Sequence, residues 1–352
     1  MSTVNTYRVA NHILGVGHPV FIVAEMGINH NGDMTLAHKM IDAAARCGVD
    51  AVKFQTFSTE RLVSRIAQKA PYQKMNVKGG TDQYGWLKPL EMDRENHFRL
   101  QDYAQKKGLV FFSTPFDEGC VPLLEELKVP VYKIASGNVT DFPLLKQVGK
   151  TRKPVILSTG MSTLQEIREA VSTLKRSGTN QIILLHCTSN YPIAIEDTHL
   201  RMIATLQNTF KLPVGFSDHN TSNWASWASI PLGVCLIERH FTLNCNLPGA
   251  DHKASLTPDM MEQLVLGVRQ IEKALGHPRK TVLPTERAIK KALQKSIVAG
   301  RTISKGEILD ESNLTVKRPG TGLHPKYIKK LVGKRAKCTI SEDSLISLNM
   351  VN

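Results

Sequence analysis

FIVAEMGINHNGDMTLAHKMIDAAARCGVDAVKFQ, residues 21–55, carries the pattern from which the fold is read. The apolar run FIVAE stops on Glu25, and AVKFQ brings in Lys53 and Gln55. Between them, Thr35 to Cys47 sets Leu36, Met40, Ile41 and Ala44 on one helical stripe, with Asp33 as a cap and Gly48 as a stop. A strand, a helix and a second strand in that order predict a parallel pair.

The unit recurs. LVFFST ends on Thr114, VYKIAS brings Lys133 and Ser136, and PVILST brings Ser158. IILLHCT carries His186 and Thr188, PVGFSDH ends on His219, and CLIERH ends on His240. Amphipathic stretches over 94–107, 121–128, 164–177, 200–208 and 258–275 alternate with these runs. The runs are short and apolar almost throughout, as strands covered on both faces are. Eight such units in roughly 250 residues predict an α/β fold, a closed (β/α)8 TIM barrel rather than an open doubly wound sheet.

In that architecture the active site sits at the C-terminal ends of the strands, where the polar endings fall. A residue after one strand is often polar simply because the chain meets water. Eight endings that include a Glu, two Lys, several hydroxyls and three His point to one shared mouth.

Composition sets outer bounds. At 352 residues and 41% hydrophobic, the chain can bury a large core and hold a second domain. Cys47, Cys120, Cys187, Cys235, Cys245 and Cys338 are scattered without a Cys-x-x-Cys pair, which predicts a reducing, cytoplasmic setting. Residues 1–10 lack an apolar signal region, and no apolar run approaches the roughly 18 residues of a membrane helix, so no membrane partner is expected. The formal charge of +14 is densest at residues 294–352, with 11 Lys/Arg against 5 Asp/Glu. Such an excess is either a solvated lysine-rich surface or a field that draws in small anionic substrates. With 6% aromatics and no basic stripe interleaved with them, no nucleic-acid partner is expected.

The endings allow several chemistries. Lys53, Lys133, Ser136, Ser158 and Ser217 would converge as donors on a phosphate or carboxylate. A Lys at a barrel strand end also fits a Schiff-base nucleophile, or a partner for Glu25 or Asp218. His219 and His240 end consecutive strands and would suit a divalent transition ion with oxygen ligands, or serve as hydrogen-bonding core residues. His186 could face the barrel wall. Glu25 is the general acid/base candidate, and Asp251 and His252 follow in the loop after strand eight. No Walker loop, His-Glu-x-x-His or Gly-x-Ser-x-Gly is present, so those chemistries lack support.

The segments AEMGINHNG (24–32), VKFQTF (52–57), FFSTPF (111–116), YKIASGN (132–138), ILSTGM (156–161), LLHCTSNYP (184–192), GFSDHN (215–220), ERHFT (238–242) and VKRPGTG (316–322) run in order along the chain. They resemble those of the sialic acid synthase family, essentially end to end. The resemblance implies a TIM barrel over residues 1–282, a linker at 283–293 and a small β-rich antifreeze-like SAF domain at 294–352. It implies condensation of phosphoenolpyruvate with an N-acylated mannosamine and water, giving a nonulosonic acid and phosphate. N-acetylmannosamine is the first acceptor expected. A 2,4-diacetamido-2,4,6-trideoxymannose, giving legionaminic acid, and N-acetylmannosamine 6-phosphate, giving a 9-phosphate, are the alternatives.

Residue roles follow from the same resemblance. Lys53, Thr114, Lys133, Ser136, Ser158, Ser189 and Ser217 would hold phosphoenolpyruvate, and Gln55, Asn138, Tyr191 and Asp251 the amino sugar. His219 and His240 would bind Mn2+, or Mg2+ or Co2+, with Glu25 as the acid/base residue. A homodimer is implied in which Arg318, as a catalytic residue, reaches from the C-terminal domain over the partner's barrel to contact the amino sugar. Two positions depart from the pattern: Asn138 stands where bacterial N-acetylneuraminate synthases often have Glu, and Ser189 where some have Asn. Loss of a carboxylate acceptor at 138 would alter which sugar hydroxyl is accepted. The antifreeze likeness also permits a binding-module reading, but the basic excess and Arg318 suit an anionic active-site lid better than a flat ice-matching surface.

Overall fold

The computed structural model describes residues 6–77 and 82–352, and the chain separates into two compact units, Met1–Gly276 and His277–Asn352. Among the described residues of the first unit, eight parallel strands form one sheet: β1 (Phe21–Gly27), β2 (Ala51–Thr56), β3 (Val110–Pro115), β4 (Tyr132–Ile134), β5 (Val155–Ser158), β6 (Ile182–Cys187), β7 (Val214–Asp218) and β8 (Leu236–His240). β8 pairs with β1 in parallel, with His240 opposite Glu25, so the sheet curls on itself. β3 and β4 lie side by side without a ladder, and Asn138 Nδ2 donates to Phe116 O at 3.2 Å just beyond their ends. This is the TIM barrel expected from the sequence.

The strands close because both faces of each are apolar and covered. Ile22, Val52, Phe111, Ile156, Leu184 and Ile237 are essentially inaccessible. The outer layer comprises α1 (Met34–Arg46), α2 (Arg94–Lys106), α3 (Val121–Glu126), α4 (Phe142–Lys150), α5 (Leu164–Ser177), α6 (Met202–Phe210), α7 (Trp224–Ser229) and α8 (Pro258–Leu275). α1 starts as read: the Asp33 carboxylate accepts from Thr35 N and Leu36 N. Gly48 then leaves the helix at φ +76°, where an L side chain is strained. α4 and α7 were not legible as helices in the sequence, and α3 is shorter than its stripe.

Two additions frame the barrel. A hairpin of Tyr7–Val9 and His12–Leu14 lies near the strands' N-terminal ends, where the Tyr7 hydroxyl reaches Asn180 O. Between β2 and α2 runs an insertion with short helices at Thr59–Leu62, Pro71–Asn76 and Gln83–Leu87. Its Leu62, Val63, Leu87 and Leu90 pack with Ile28 and Phe57 in a small apolar cluster of their own.

The second unit begins with a segment that is exposed throughout 277–295, including a short helix, Arg287–Leu293, within the linker expected to lack strands. An antiparallel pair, β9 (Ser296–Ala299) and β10 (Leu314–Lys317), follows. Ile297, Ile303, Leu309, Leu331, Ile340 and Ile346 form its core.

Candidate active site

Period-two alternation sends every second strand residue into the barrel. Glu25 and Lys53 lie opposite each other on β1 and β2, and the Lys53 ammonium is 2.7 Å from Glu25 Oε2. Lys53 Nζ also donates to Thr114 Oγ1 at 2.8 Å. On β4, two strands further round, Lys133 Nζ donates to Ser158 Oγ at 2.7 Å. Between the two lysines stands Glu238, which the sequence reading passed over. Its carboxylate is 3.7 Å from Lys53, 3.5 Å from Lys133 and 2.9 Å from the Ser217 hydroxyl that donates to it. Glu238 lies two residues before His240 on β8 and so shares its inward face; that spacing was the signal available. Arg239, between them, faces outward and pairs with Asp218 at 2.9 Å, both fully buried. Asp218 is therefore no partner for the lysines.

Burial sets the charges. It raises Glu25 to about 7, against the pull of Lys53 and with repulsion from Glu238 added. Burial also opposes ionisation of Glu238, yet the two ammonium groups overcome it and bring that carboxyl to about 2. Burial lowers Lys133, whereas Lys53 is held up by its two carboxylates despite burial. Near neutral pH the barrel floor thus carries two buried lysines, one firmly ionised carboxylate and one carboxyl at the point of losing its charge.

These groups open into a cavity of about 680 Å³ at the C-terminal ends of the strands. All the barrel residues named from the resemblance line it, including Gln55, Ser136, Asn138, Ser189, Tyr191 and Asp251. Gln55 donates to Glu25 Oε1 at 3.1 Å, and Ser136 Oγ accepts from Gly160 N at 3.0 Å. A Cβ on Gly160 would stand 2.4 Å from Ser189 Oγ and 2.9 Å from Ser136 Oγ, so glycine permits this close approach. Asn138 Oδ1, Ser189 Oγ and His240 Nδ1 are buried without a hydrogen-bond partner, the condition of groups that a ligand completes. Arg318 lies in the second unit, where its Nε donates to Leu293 O. No arginine lines the cavity among the described residues.

The histidines divide into two kinds. His219 and His240 face each other with ring centroids 5.4 Å apart, and Tyr191 packs on both at 4.1 and 5.5 Å. His219 Nδ1 bonds Thr188 O at 2.8 Å, which directs Nε2 elsewhere, and Asp251 Oδ2 is 3.8 Å from His240 Nδ1. Burial, with His219 adding to it, holds His240 neutral well below its ordinary range. For His219 burial acts downward too, but the charge of an ionised Cys187 sulfur and the hydrogen bonds to it and to Thr188 outweigh it, so the imidazole is raised. Two imidazoles in a polar cavity fit a divalent transition ion that takes its other ligands from water or substrate. Among the described residues no cluster of three His, Cys, Asp or Glu forms a fuller cage. His186, by contrast, bonds Thr198 O at 2.7 Å and stacks on Phe216, and His252 bonds Thr242 Oγ1 at 2.7 Å. Both are structural. A larger groove of about 1250 Å³, among α5, α6 and α7, holds His186 and His199 but none of the lysines or carboxylates.

One cavity at the barrel mouth thus gathers two buried lysines, a carboxyl raised by burial and a histidine pair, the make-up of a candidate barrel active site. Residues 40–280 match the NeuB family model and residues 294–352 the SAF domain model. The chain is 43% identical over 327 residues to the N,N'-diacetyllegionaminic acid synthase of Campylobacter jejuni, covering 92% of this chain and 98% of that one. It is 39% identical over 342 residues to the N-acetylneuraminate-9-phosphate synthase of Homo sapiens, covering 96% and 94%. The solved N-acetylneuraminic acid synthetase of Leptospira borgpetersenii superposes with a TM-score of 0.72 at 33% identity, over 81% of this chain and 95% of that one. The chain belongs to the NeuB family and carries a C-terminal SAF domain. These three relatives are synthases of diacetyllegionaminic acid, N-acetylneuraminate 9-phosphate and N-acetylneuraminic acid. No helix among the described residues is long and apolar enough to cross a membrane.

Proposed function

We propose that this protein condenses phosphoenolpyruvate with an N-acylated amino sugar and water, releasing phosphate and a nonulosonic acid. The observation that carries the reading is the excess of buried positive charge around Glu238. Two buried ammonium groups with one firm carboxylate are costly until an anion joins them, and phosphoenolpyruvate is such an anion. Lys53 and Lys133, with Thr114, Ser136, Ser158, Ser189 and Ser217, hold its phosphate and carboxylate. Gln55, Asn138, Tyr191 and Asp251 hold the sugar.

The methylene carbon of phosphoenolpyruvate forms a bond to the acceptor's aldehyde carbon, and the aldehyde oxygen takes up a proton. Glu25, half-protonated near neutral pH, is suited to deliver it. Water adds to the carbon that bears the phosphate ester oxygen and gives up a proton; phosphate then leaves from that carbon with its bridging oxygen, and the hydroxyl left behind loses its proton as the ketone forms. His219 and His240 would hold Mn2+ or a similar ion, which supplies Lewis-acid polarisation of the aldehyde when bound. Arg318 of a second copy would complete the sugar site in a homodimer.

The acceptor is an uncharged sugar, N-acetylmannosamine or its 2,4-diacetamido-6-deoxy analogue. Lys53 and Lys133 are the cavity's lysines among the described residues, and both are engaged with Glu238. Within the barrel unit and among the described residues a 6-phosphate would find no further lysine or arginine, and Leu62, Val63 and Trp86 give the cavity an apolar stretch of wall. That wall suits a methyl or acetyl group. The test is phosphate release from phosphoenolpyruvate and Mn2+ against a panel of N-acylated amino sugars, with product masses. Release with the 6-phosphate alone would overturn the acceptor assignment. Metal-independent turnover trapped by borohydride would favour a Schiff-base enzyme instead.

A further inference from the structure

The helix Pro71–Asn76 lies across the cavity mouth between two loops of the barrel. At one side the Tyr72 ring packs on Tyr191 with centroids 4.9 Å apart and planes at 33°. At the other, Asn76 Nδ2 donates to Ala250 O at 2.8 Å, next to Asp251. Since Tyr191 covers His219 and His240, the insertion reaches the histidine pair through a continuous aromatic stack. Buried Gln73 holds this strap in shape: its Oε1 accepts from Ala70 N at 2.8 Å and from Gln83 Nε2 at 3.3 Å.

Gln73 Nε2 also donates to the Tyr72 hydroxyl at 3.3 Å, which occupies that oxygen as an acceptor. The hydroxyl's own proton has no protein acceptor among the described residues. Burial, with the charge of Asp251 added, pushes the phenol above its ordinary range, so the proton stays in place at neutral pH. Tyr72 therefore offers the cavity a ring beside Tyr191 and an O–H donor without a protein acceptor among the described residues. Lys53 and Lys133 sit deeper, on the barrel floor. The strap has no part in their network.

We propose that Tyr72 is a binding and specificity residue for the acceptor sugar, its ring packing on the sugar's C–H and acyl groups and its hydroxyl donating to an acceptor oxygen. The inference rests on reading the cavity as a synthase site. An aromatic wall paired with a fixed donor is suited to an N-acylated amino sugar, which presents apolar C–H groups and amide or hydroxyl oxygens together. Phosphoenolpyruvate, held by the lysines, is indifferent to it. The strap thus belongs to the chain's own barrel unit, independent of any residue from a partner.

Steady-state kinetics of the full-length protein with Tyr72→Phe and Tyr72→Ala test this, using whichever panel sugar the wild type turns over best. Removal of the hydroxyl alone is expected to raise the acceptor KM by about three-fold to ten-fold. Removal of the ring as well is expected to raise it by about ten-fold or more, with the phosphoenolpyruvate KM changed less than about two-fold in both. A merely structural role would move both substrates' constants together. An unchanged acceptor KM in both variants, or equal shifts for both substrates, would overturn the inference while wild-type turnover left the synthase reading standing. Absence of wild-type turnover with every sugar would instead remove the synthase reading, and the inference with it. Should Tyr72→Ala fail to fold, Tyr72→Phe, which keeps the stack, carries the test.

Discussion

Glu238, on β8, stands between two lysines that come from β2 and β4, 3.7 Å from Lys53 and 3.5 Å from Lys133. One carboxylate thereby sets the spacing of both halves of the anion site. Glu238→Gln leaves two buried ammonium groups without their shared counter-ion. Breaking a buried pair in this way costs about 3–5 kcal/mol, so chemical denaturation of the variant should show a loss of that order. Phosphoenolpyruvate should stabilise the variant more than it does the wild type, because the anion replaces the missing charge.

Glu25 gives a pH signature of definite sign. Its folded-state pKa is raised from 4.5 to about 7, so the neutral carboxyl favours the fold. That contribution is full below the unfolded pKa and is lost as pH rises through about 7. The stability of the wild type relative to Glu25→Gln should therefore fall between those limits and level off above them. Denaturant midpoints across that range check it; a flat difference would place Glu25 at an ordinary pKa.

Asp218 and Arg239 form the control. Their pair is fully buried on the outer side of β7 and β8, and Arg239 also donates to Ser222 O at 2.9 Å. Asp218→Asn should destabilise by several kcal/mol, as removal of one partner from a buried pair does. The folded fraction should keep its KM for both substrates, which separates this pair from the inner network.

Gly160→Ala should act on the anion site with little change in fold. The added methyl meets the ends of two flexible side chains, Ser189 Oγ and Ser136 Oγ, and displaces those hydroxyls, while the nearest backbone atom, Cys187 O, stands at 3.3 Å and need give only slightly. The phosphoenolpyruvate KM should rise about ten-fold, as expected for one or two lost hydrogen bonds, with melting temperature little altered.

Metal removal should abolish turnover, with Mn2+ restoring it. His219→Gln and His240→Gln should lose that rescue while keeping the cooperative unfolding of the barrel. Equilibrium dialysis of Mn2+ against the three proteins gives a reading independent of activity.

The barrel was legible because its strands are buried on both faces and so appear as short apolar runs, and because Asp33 and Gly48 punctuate the first helix. The polar endings marked the mouth for the same reason. Glu238 was hidden within CLIERH beside Arg239, since adjacent opposite charges look like a solvated pair until period-two alternation sends one inward and the other outward. His186 looked like a third ending, but its place on the strand turns it toward Phe216. The insertion could not be read at all. Its helices are too short for a stripe to register, and Tyr72 gains meaning only when the loops of β6 and β8 come beneath it. α4 begins at Phe142 with Pro143 and holds Gly149, which broke the periodic pattern despite proline being favourable in a first turn.

The central claim is tested most directly by following the bridging oxygen of phosphoenolpyruvate. Incubation of heavy-oxygen-labelled phosphoenolpyruvate with Mn2+ and an N-acylated mannosamine should release phosphate that carries the label, in step with an unlabelled nonulosonic acid. Label retained in the sugar product, or phosphate release that proceeds without any acceptor, would contradict the account.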